Sequence, residues 1–252
     1  MNKCFTDFVG VIDSGVGGLT VLKQLQKDFP NCNFVYIADS AYCPYGTKQP
    51  SEILRRAETL VKYLQDNNAQ AAVIACNTAS VYADTLRQKF SLPIYDVITP
   101  TCRLVAKTTQ TKRVALLATN ATVKSCAYQQ LLNESEISVV SFPCSSFVPF
   151  VEANAVDTSD CEVAVATALS TLPKCNVDTV ILGCTHFPIL KSKIAPYTHG
   201  ANIIECFADL QFPVMDEKAA SGVTAYFTTG RVEQANRASQ WFGKINFSHI
   251  DL

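Results

Sequence analysis

Two cysteines stand in mirrored settings in this 252-residue chain. Cys76 follows an apolar run in AAVIACNTAS and is succeeded by Asn77, Thr78 and Ser80; Cys184 does the same in TVILGCTHFP, with Gly183 before it and Thr185 and His186 after it. In each case a buried strand is expected to run straight into a helix start, where N–H groups and hydroxyls gather around an anion and favour a thiolate. Two such thiols suit proton exchange at a single carbon. One removes a proton from one face, the other delivers a proton to the opposite face, and the roles swap in the reverse direction. A free thiol with a pKa of about 8.5 is available in both forms near neutrality, and an activating neighbour is expected to raise its thiolate fraction. Either cysteine alone reads as a small core residue. Their matched positions carry the case.

The neighbours that would tune such thiols also sit where strands end. Asp13 and Ser14 follow FVGVI, and Asp39 follows NFVYIA, so both aspartates are candidate proton relays. His186 lies two residues after Cys184, placed to orient or activate it, although a lone histidine beside a helix start is commonly just a satisfied structural residue. Glu152, after an apolar run in SFVPFVEAN, reads by itself as an ordinary surface acid. In CPYGTKQ, Pro44 and Gly46 fix a turn that turns Tyr45 and the Gly46 N–H toward a carboxylate. DSGVGG at 13–18 has neither G-x-G-x-x-G spacing nor a G-K-[ST] ending, and Asp13 at its mouth would repel a phosphate. Its glycines read equally as a tight strand-to-helix turn or as a direct binding loop.

Short apolar runs that end in polar residues alternate with stretches of helical period, the pattern of an α/β protein with mostly parallel sheets. Strands are expected at 8–13, 34–39, 72–76, 94–98, 114–118, 139–143, 180–184 and 203–206. Helices are expected at 19–29, 52–65, 81–90, 123–132, 162–172 and 189–194, with Ser51 as an N-cap. The halves repeat weakly: GVIDSGVGG and VIACNTAS in the first correspond to RVALLATNAT and VILGCTHFP in the second. Asp13 and Cys76 are 63 positions apart, and Thr119 and Cys184 are 65 apart. Ligands of parallel sheets sit outside the carboxyl ends of the strands, so two similar lobes facing through those ends would bring all four loops into one cleft. The expected division is 1–97 with 208–252 as the lobe of Cys76, and 98–207 as the lobe of Cys184. Ile98, Thr99 and Pro100 would form one crossing and the region near Ala208 the other. From 208 to the tail INFSHIDL, loop and helix are expected without a strong strand.

Composition narrows the function. A chain that is 48% hydrophobic and 17% charged can bury a sizeable core. Its net charge of -1, without a block of like charges, offers no stripe for nucleic acid and no basic patch for a membrane, so a small polar ligand is expected. The N-terminal apolar run is too short for a signal or a span, which points to the cytoplasm. Eleven cysteines are an odd number for a disulfide framework, none forms a C-x-x-C pair, and the three histidines are scattered, so reduced thiols and no metal are expected.

Together these segments resemble the glutamate racemase family of the aspartate/glutamate racemase superfamily. The resemblance runs through GVIDSGVGGLTVL, YIADSAYCPYGTK, VIACNTAS, VALLATNATVKSCAY, CSSFVPFVE and ILGCTHFPIL, in order across 9–190. ACNT with GCTH is the two-thiol signature, and DSGVGG with PYG points to the glutamate branch. The resemblance implies interconversion of L- and D-glutamate without cofactor or metal, supply of D-glutamate for peptidoglycan, and a homodimer. It places the thiols at Cys76 and Cys184, with Asp13 and Asp39 assisting the first and Glu152 and His186 the second. Cys76 would deprotonate D-glutamate and Cys184 L-glutamate. Substrate contacts would come from Asp13, Ser14, Tyr45, Gly46, Asn77, Thr78, Thr119, Thr122, Thr185 and His186. Tyr42, where the family usually has Arg, and IIECFADLQFP depart from the pattern. The rivals are a racemase for aspartate or a hydantoin, a decarboxylase of a malonate-like acid, a binding or regulatory protein that keeps the fold, and a redox or metal protein that uses the many cysteines.

Overall fold

The computed structural model describes residues 7–206 and 222–252. Its strands are β1 (Phe8–Asp13), β2 (Asn33–Ala38), β3 (Ala71–Ile74), β4 (Ile94–Asp96), β5 (Arg113–Ala118), β6 (Ser138–Pro143), β7 (Thr179–Gly183), β8 (Asn202–Glu205), β9 (Thr224–Thr228) and β10 (Ser248–His249). They form two sheets, ordered β10-β9-β2-β1-β3-β4 and β6-β5-β7-β8. Every pairing between them is parallel. The order β2-β1-β3-β4 returns as β6-β5-β7-β8, so the weak sequence repeat corresponds to two similar α/β lobes.

Side chains alternate along a strand, so each sheet sorts its apolar residues onto two faces. From β1, Val9 and Val11 join Phe34 and Tyr36 on one side, where helix Leu19–Asp28 adds Leu19, Leu22 and Leu25. Phe8 and Ile12 join Val35 and Ile37 on the other, under Ile53, Leu60 and Leu64 of helix Pro50–Asp66. The second lobe repeats the plan, with Ala115 and Leu117 on one side of β5 and Val114, Leu116 and Ala118 on the other. Sheets covered on both faces account for the continuous apolar runs in the sequence.

Several expectations need correction. Helix Pro50–Asp66 starts one residue before Ser51, with Gln49 as its N-cap; Pro50 takes the first helical position, where its fixed φ fits and its missing N–H costs nothing. The strand expected at 94–98 stops at Asp96, and Ile98–Thr108 is a helix. Pro100 lies in the first turn of this helix, where proline is tolerated, and Asp96 accepts the Thr99 N–H at 2.8 Å and its hydroxyl at 3.0 Å. This helix packs Ile98, Cys102 and Val105 against Val114 and Leu116, carrying the chain onto the second sheet. Residues 187–194, expected as helix from 189, are a 3-10 turn at Phe187–Leu190 and a single α turn at Lys191–Ile194.

β9 lies where loop and helix were expected. It pairs with β2 on one side and with two-residue β10 on the other, and it is mostly half-buried, so no continuous apolar run betrays it. Its mixture of β-branched and aromatic residues, TAYFT, is the signal that would have. The crossing expected near Ala208 lies outside the described residues.

In the first sheet the chain runs from β1 outward to β2 and then returns to β3 on the opposite side of β1; β5, β6 and β7 do the same. The crevice at such a switch point opens between the carboxyl ends of the two diverging strands. Those ends carry Asp13 and Cys76 in one lobe, and Thr119 and Cys184 in the other.

Candidate active site

Register places the first group. Ile12 of β1 lies beside Ile74 of β3, so the chains leaving these strands emerge together with Asp13 and Ser14 next to Cys76. The Cys76 sulfur lies 3.8 Å from the Ser14 Oγ, whose hydroxyl is turned toward Asp13 Oδ1 at 3.4 Å. Asp13 Oδ1 also accepts the Gly15 N–H at 2.9 Å.

The second group comes from β5 and β7, paired at Ala118 and Gly183. The Cys184 sulfur is 3.7 Å from His186 Nδ1, and His186 Nε2 is 2.6 Å from Glu152 Oε1. Each lobe then reaches the acid of the other. Thr185 donates its hydroxyl to Asp13 Oδ2 at 3.0 Å, and the Val16 N–H donates to Glu152 Oε1 at 2.9 Å. Thr20 donates to the Thr185 carbonyl at 3.1 Å. Thr78, on the short helix after Cys76, meets Thr119 at 2.9 Å and Thr122 at 3.2 Å.

The two thiols are buried to a similar degree, 6% and 5% exposed, but differ in their surroundings. Burial, with the neighbouring Asp13 charge, pushes the Cys76 thiol up to about 12, against the opposing pull of the Ala79 N–H and the Ser14 hydroxyl. Burial raises Asp13 to about 6, although the His186 charge and the Gly15 and Thr185 hydrogen bonds pull it back. His186 is the reverse case. Burial alone would lower it, but hydrogen bonds and charges from Cys184 and Glu152 hold it well above its ordinary value. The surroundings of Cys76 thus favour its protonated form, while the Cys184 sulfur faces the His186 ring.

The glycines of DSGVGG have a role that neither reading of them anticipated. A Cβ at Gly15 would lie 2.1 Å from Glu152 Oε1, and one at Gly17 would lie 2.5 Å from His186 Nδ1 and 2.7 Å from Thr185 Oγ1. They clear space for the acids of the opposite lobe. Gly17→Ala is expected to displace His186 and lower kcat/KM by about 100-fold, with the circular dichroism of the fold retained; initial-rate kinetics on the purified variant checks this.

Of the candidate site residues singled out in the sequence, Asp39 and Tyr45 bond within the first lobe and not across this junction. Asp39 is wholly buried and turns both carboxylate oxygens to Arg56, Tyr45 and Thr229. Tyr45 is buried in the first-lobe core, with its hydroxyl on Asp39 rather than facing the cleft. Gly46 lies against Thr119 so closely that a Cβ there would come within 2.6 Å of it. Asn77 is held by the Tyr128 hydroxyl, which donates to its Oδ1 at 2.6 Å across the lobe boundary.

Sequence reasoning missed Tyr36, Cys43, Arg56 and Tyr128. The Tyr36 hydroxyl fixes the glycine loop by donating to the Gly15 carbonyl at 2.7 Å. Cys43 is a third thiol of the site, raised well above its ordinary value by burial and then by the charges of Glu152, Asp13 and the two other thiols. It lines a cavity of about 250 Å³ together with Pro44, Val148 and Glu152. Among the described residues no group of three or more His, Cys, Asp or Glu side chains is arranged to hold a metal ion.

Residues 18–216 match the family model described as Asp/Glu/Hydantoin racemase. The glutamate racemase of Aquifex aeolicus is 39% identical over 198 residues, 78% of either chain. The crystal structure of a glutamate racemase isoform from Bacillus anthracis superposes with a TM-score of 0.91 at 31% identity, covering 99% of both chains. That of the Francisella tularensis glutamate racemase in complex with D-glutamate gives 0.85 at 30% identity, covering 98% of this chain and 97% of that one.

Proposed function

Since the chain belongs to the Asp/Glu/hydantoin racemase family, with glutamate racemases as its relatives over nearly its full length, we propose that Cys76 and Cys184 are the acid and base that interconvert L- and D-glutamate. The enzyme is an amino-acid racemase, an isomerase. The observation that carries the assignment of residues is the pair of sulfurs at equivalent strand ends, each beside its own acid network.

In the L-to-D direction Cys184 takes the Cα proton as a thiolate, with the His186 imidazolium beside it and Glu152 behind. The Cys76 thiol gives its proton to the opposite face of the same carbon. Cys184 then holds a proton and Cys76 is a thiolate, the state from which D-glutamate is converted back, so no net proton is consumed. Asp13, linked to Cys76 through Ser14 and raised close to neutrality, is the group that exchanges protons with that thiol. Ser14, Asn77, Thr78, Thr119, Thr122, Thr185, His186 and the Tyr45–Gly46 turn supply N–H and O–H groups to the two carboxylates and orient the ammonium. The first lobe gives way to the second at about 97/98. The product serves peptidoglycan synthesis in the cytoplasm, and the enzyme works as a homodimer.

Circular dichroism of the substrate tests the reading directly. Both enantiomers of glutamate are expected to racemise to an equal mixture, with aspartate at least about 100-fold slower, and light scattering of the same sample should give twice 27.5 kDa. Preferential turnover of aspartate would overturn the substrate assignment.

A further inference from the structure

Arg56 is the largest fully buried side chain of the described residues, 2% exposed on helix Pro50–Asp66, and it faces Asp39. Its Nε donates to Asp39 Oδ2 at 2.9 Å and its Nη2 to Oδ1 at 2.7 Å. Tyr45 donates its hydroxyl to Oδ2 at 2.5 Å, and Thr229 donates to Oδ1 at 2.8 Å. A carboxylate has about four lone-pair sites, and here all are taken, two by a guanidinium fork and two by hydroxyls. A carboxylate so saturated has no site left for an incoming proton and is poorly suited to a relay. The Asp39 N–H meanwhile donates to the Asp13 carbonyl at 2.8 Å, so this fixed point is tied to the strand end that carries the site.

The remaining contacts of Arg56 extend the same anchorage. Its Nη1 donates to the Leu252 carbonyl at 3.1 Å, and its guanidinium lies over the Tyr42 ring, 3.9 Å from the centroid. Tyr42 is the residue that departs from the family pattern, and here its ring covers a buried cation. Tyr42 and Tyr45 thus bracket the turn from 42 to 46, and both are fastened to the one guanidinium, Tyr45 through Asp39. The far side of the turn is Gly46, pressed on Thr119, whose hydroxyl joins those of Thr78 and Thr122.

We propose that Arg56 is a positioning residue which, through Asp39 and Tyr45, sets the turn at Tyr45–Gly46 against Thr119 and so fixes the substrate-carboxylate end of the cleft; Asp39 acts in this chain of contacts and not as a proton relay. The proposal rests on the racemase reading. It deepens that reading by separating residues that hold the substrate from residues that move protons. Burial and the Asp39 charge keep Tyr45 un-ionised, so it remains a donor throughout the accessible pH range.

The test uses Arg56→Lys, which keeps a cation but not the two-pronged fork, and Tyr45→Phe, which removes only the hydroxyl that reaches Asp39. Each is compared with the unaltered enzyme, whose racemisation of glutamate is measured first. Should that enzyme leave glutamate unchanged, the racemase reading fails independently of the variants. In both variants KM for L- and D-glutamate is expected to rise about 10-fold and to a similar extent, with kcat within about threefold. The pH–rate profile and the ratio of Cα-deuterium washout from the two enantiomers should be unmoved. A kcat loss confined to D-glutamate, or a displaced pH profile, would return Asp39 to the proton chemistry of Cys76 and overturn the proposal. A lowered melting temperature with KM unchanged would reduce the network to a structural brace and overturn it equally.

Discussion

Replacing Cys76 by alanine is expected to abolish racemisation, by at least about 1000-fold, while leaving one half of the chemistry intact. With Cys184 and His186 still in place, the variant should exchange the Cα hydrogen of L-glutamate with deuterated water, returning it to the same face, and should leave D-glutamate untouched. Cys184→Ala should show the opposite preference. The substitutions are mild for the fold, because each removes one sulfur from a nearly buried position at the end of a strand already fixed by its ladder. Mass spectrometry of recovered substrate reads the outcome. Exchange from both enantiomers in either variant would mean that a single group reaches both faces of the carbon, and the two-thiol assignment would fall.

Asp13→Asn should produce a large loss of activity together with a gain in stability. The carboxyl is raised from 3.8 to about 6 in the folded protein, chiefly by burial. Between those values the folded state binds more protons than the unfolded chain, so stability falls as pH rises from about 4 to about 6 and stays lower above that. The loss amounts to about 3 kcal/mol. Asparagine carries no charge to bury. The variant should therefore be more stable than the native chain by up to about 3 kcal/mol at pH 7 to 8, and the two should converge near pH 4. Its kcat should fall about 100- to 1000-fold if Asp13 exchanges protons with Cys76 as proposed. Urea unfolding across pH 4 to 8, alongside turnover, checks both halves. A stability difference independent of pH would refute the burial argument.

The positions of the candidate residues were legible because parallel α/β geometry leaves few choices. Once a run such as AAVIA is a buried strand, its carboxyl end faces the crevice, and Cys76, Cys184, Asp13 and Thr119 follow from that rule. The partners were less legible because they are set by tertiary contacts. Arg56 sits in SEILRRAETL, where an arginine ordinarily marks the solvated face. Its spacing from Ile53 and Leu60 does place it on the buried stripe, but that reading needs a buried anion to justify it, and Asp39 comes from a different element. The start of the helix at Ile98–Thr108 was read as a strand end and a crossing, and β9 was obscured by its half-exposed place beyond β2. The glycines of DSGVGG could be assigned to a turn from sequence, but their closeness to Glu152 and His186 depends on a lobe more than 130 residues away in the chain.

Asp13 and Glu152 each receive a hydrogen bond from the lobe that does not carry them. These two bonds tie the acid of each lobe to the backbone or hydroxyl of the other, so a change in the distance between the sheets would be felt by both acids at once.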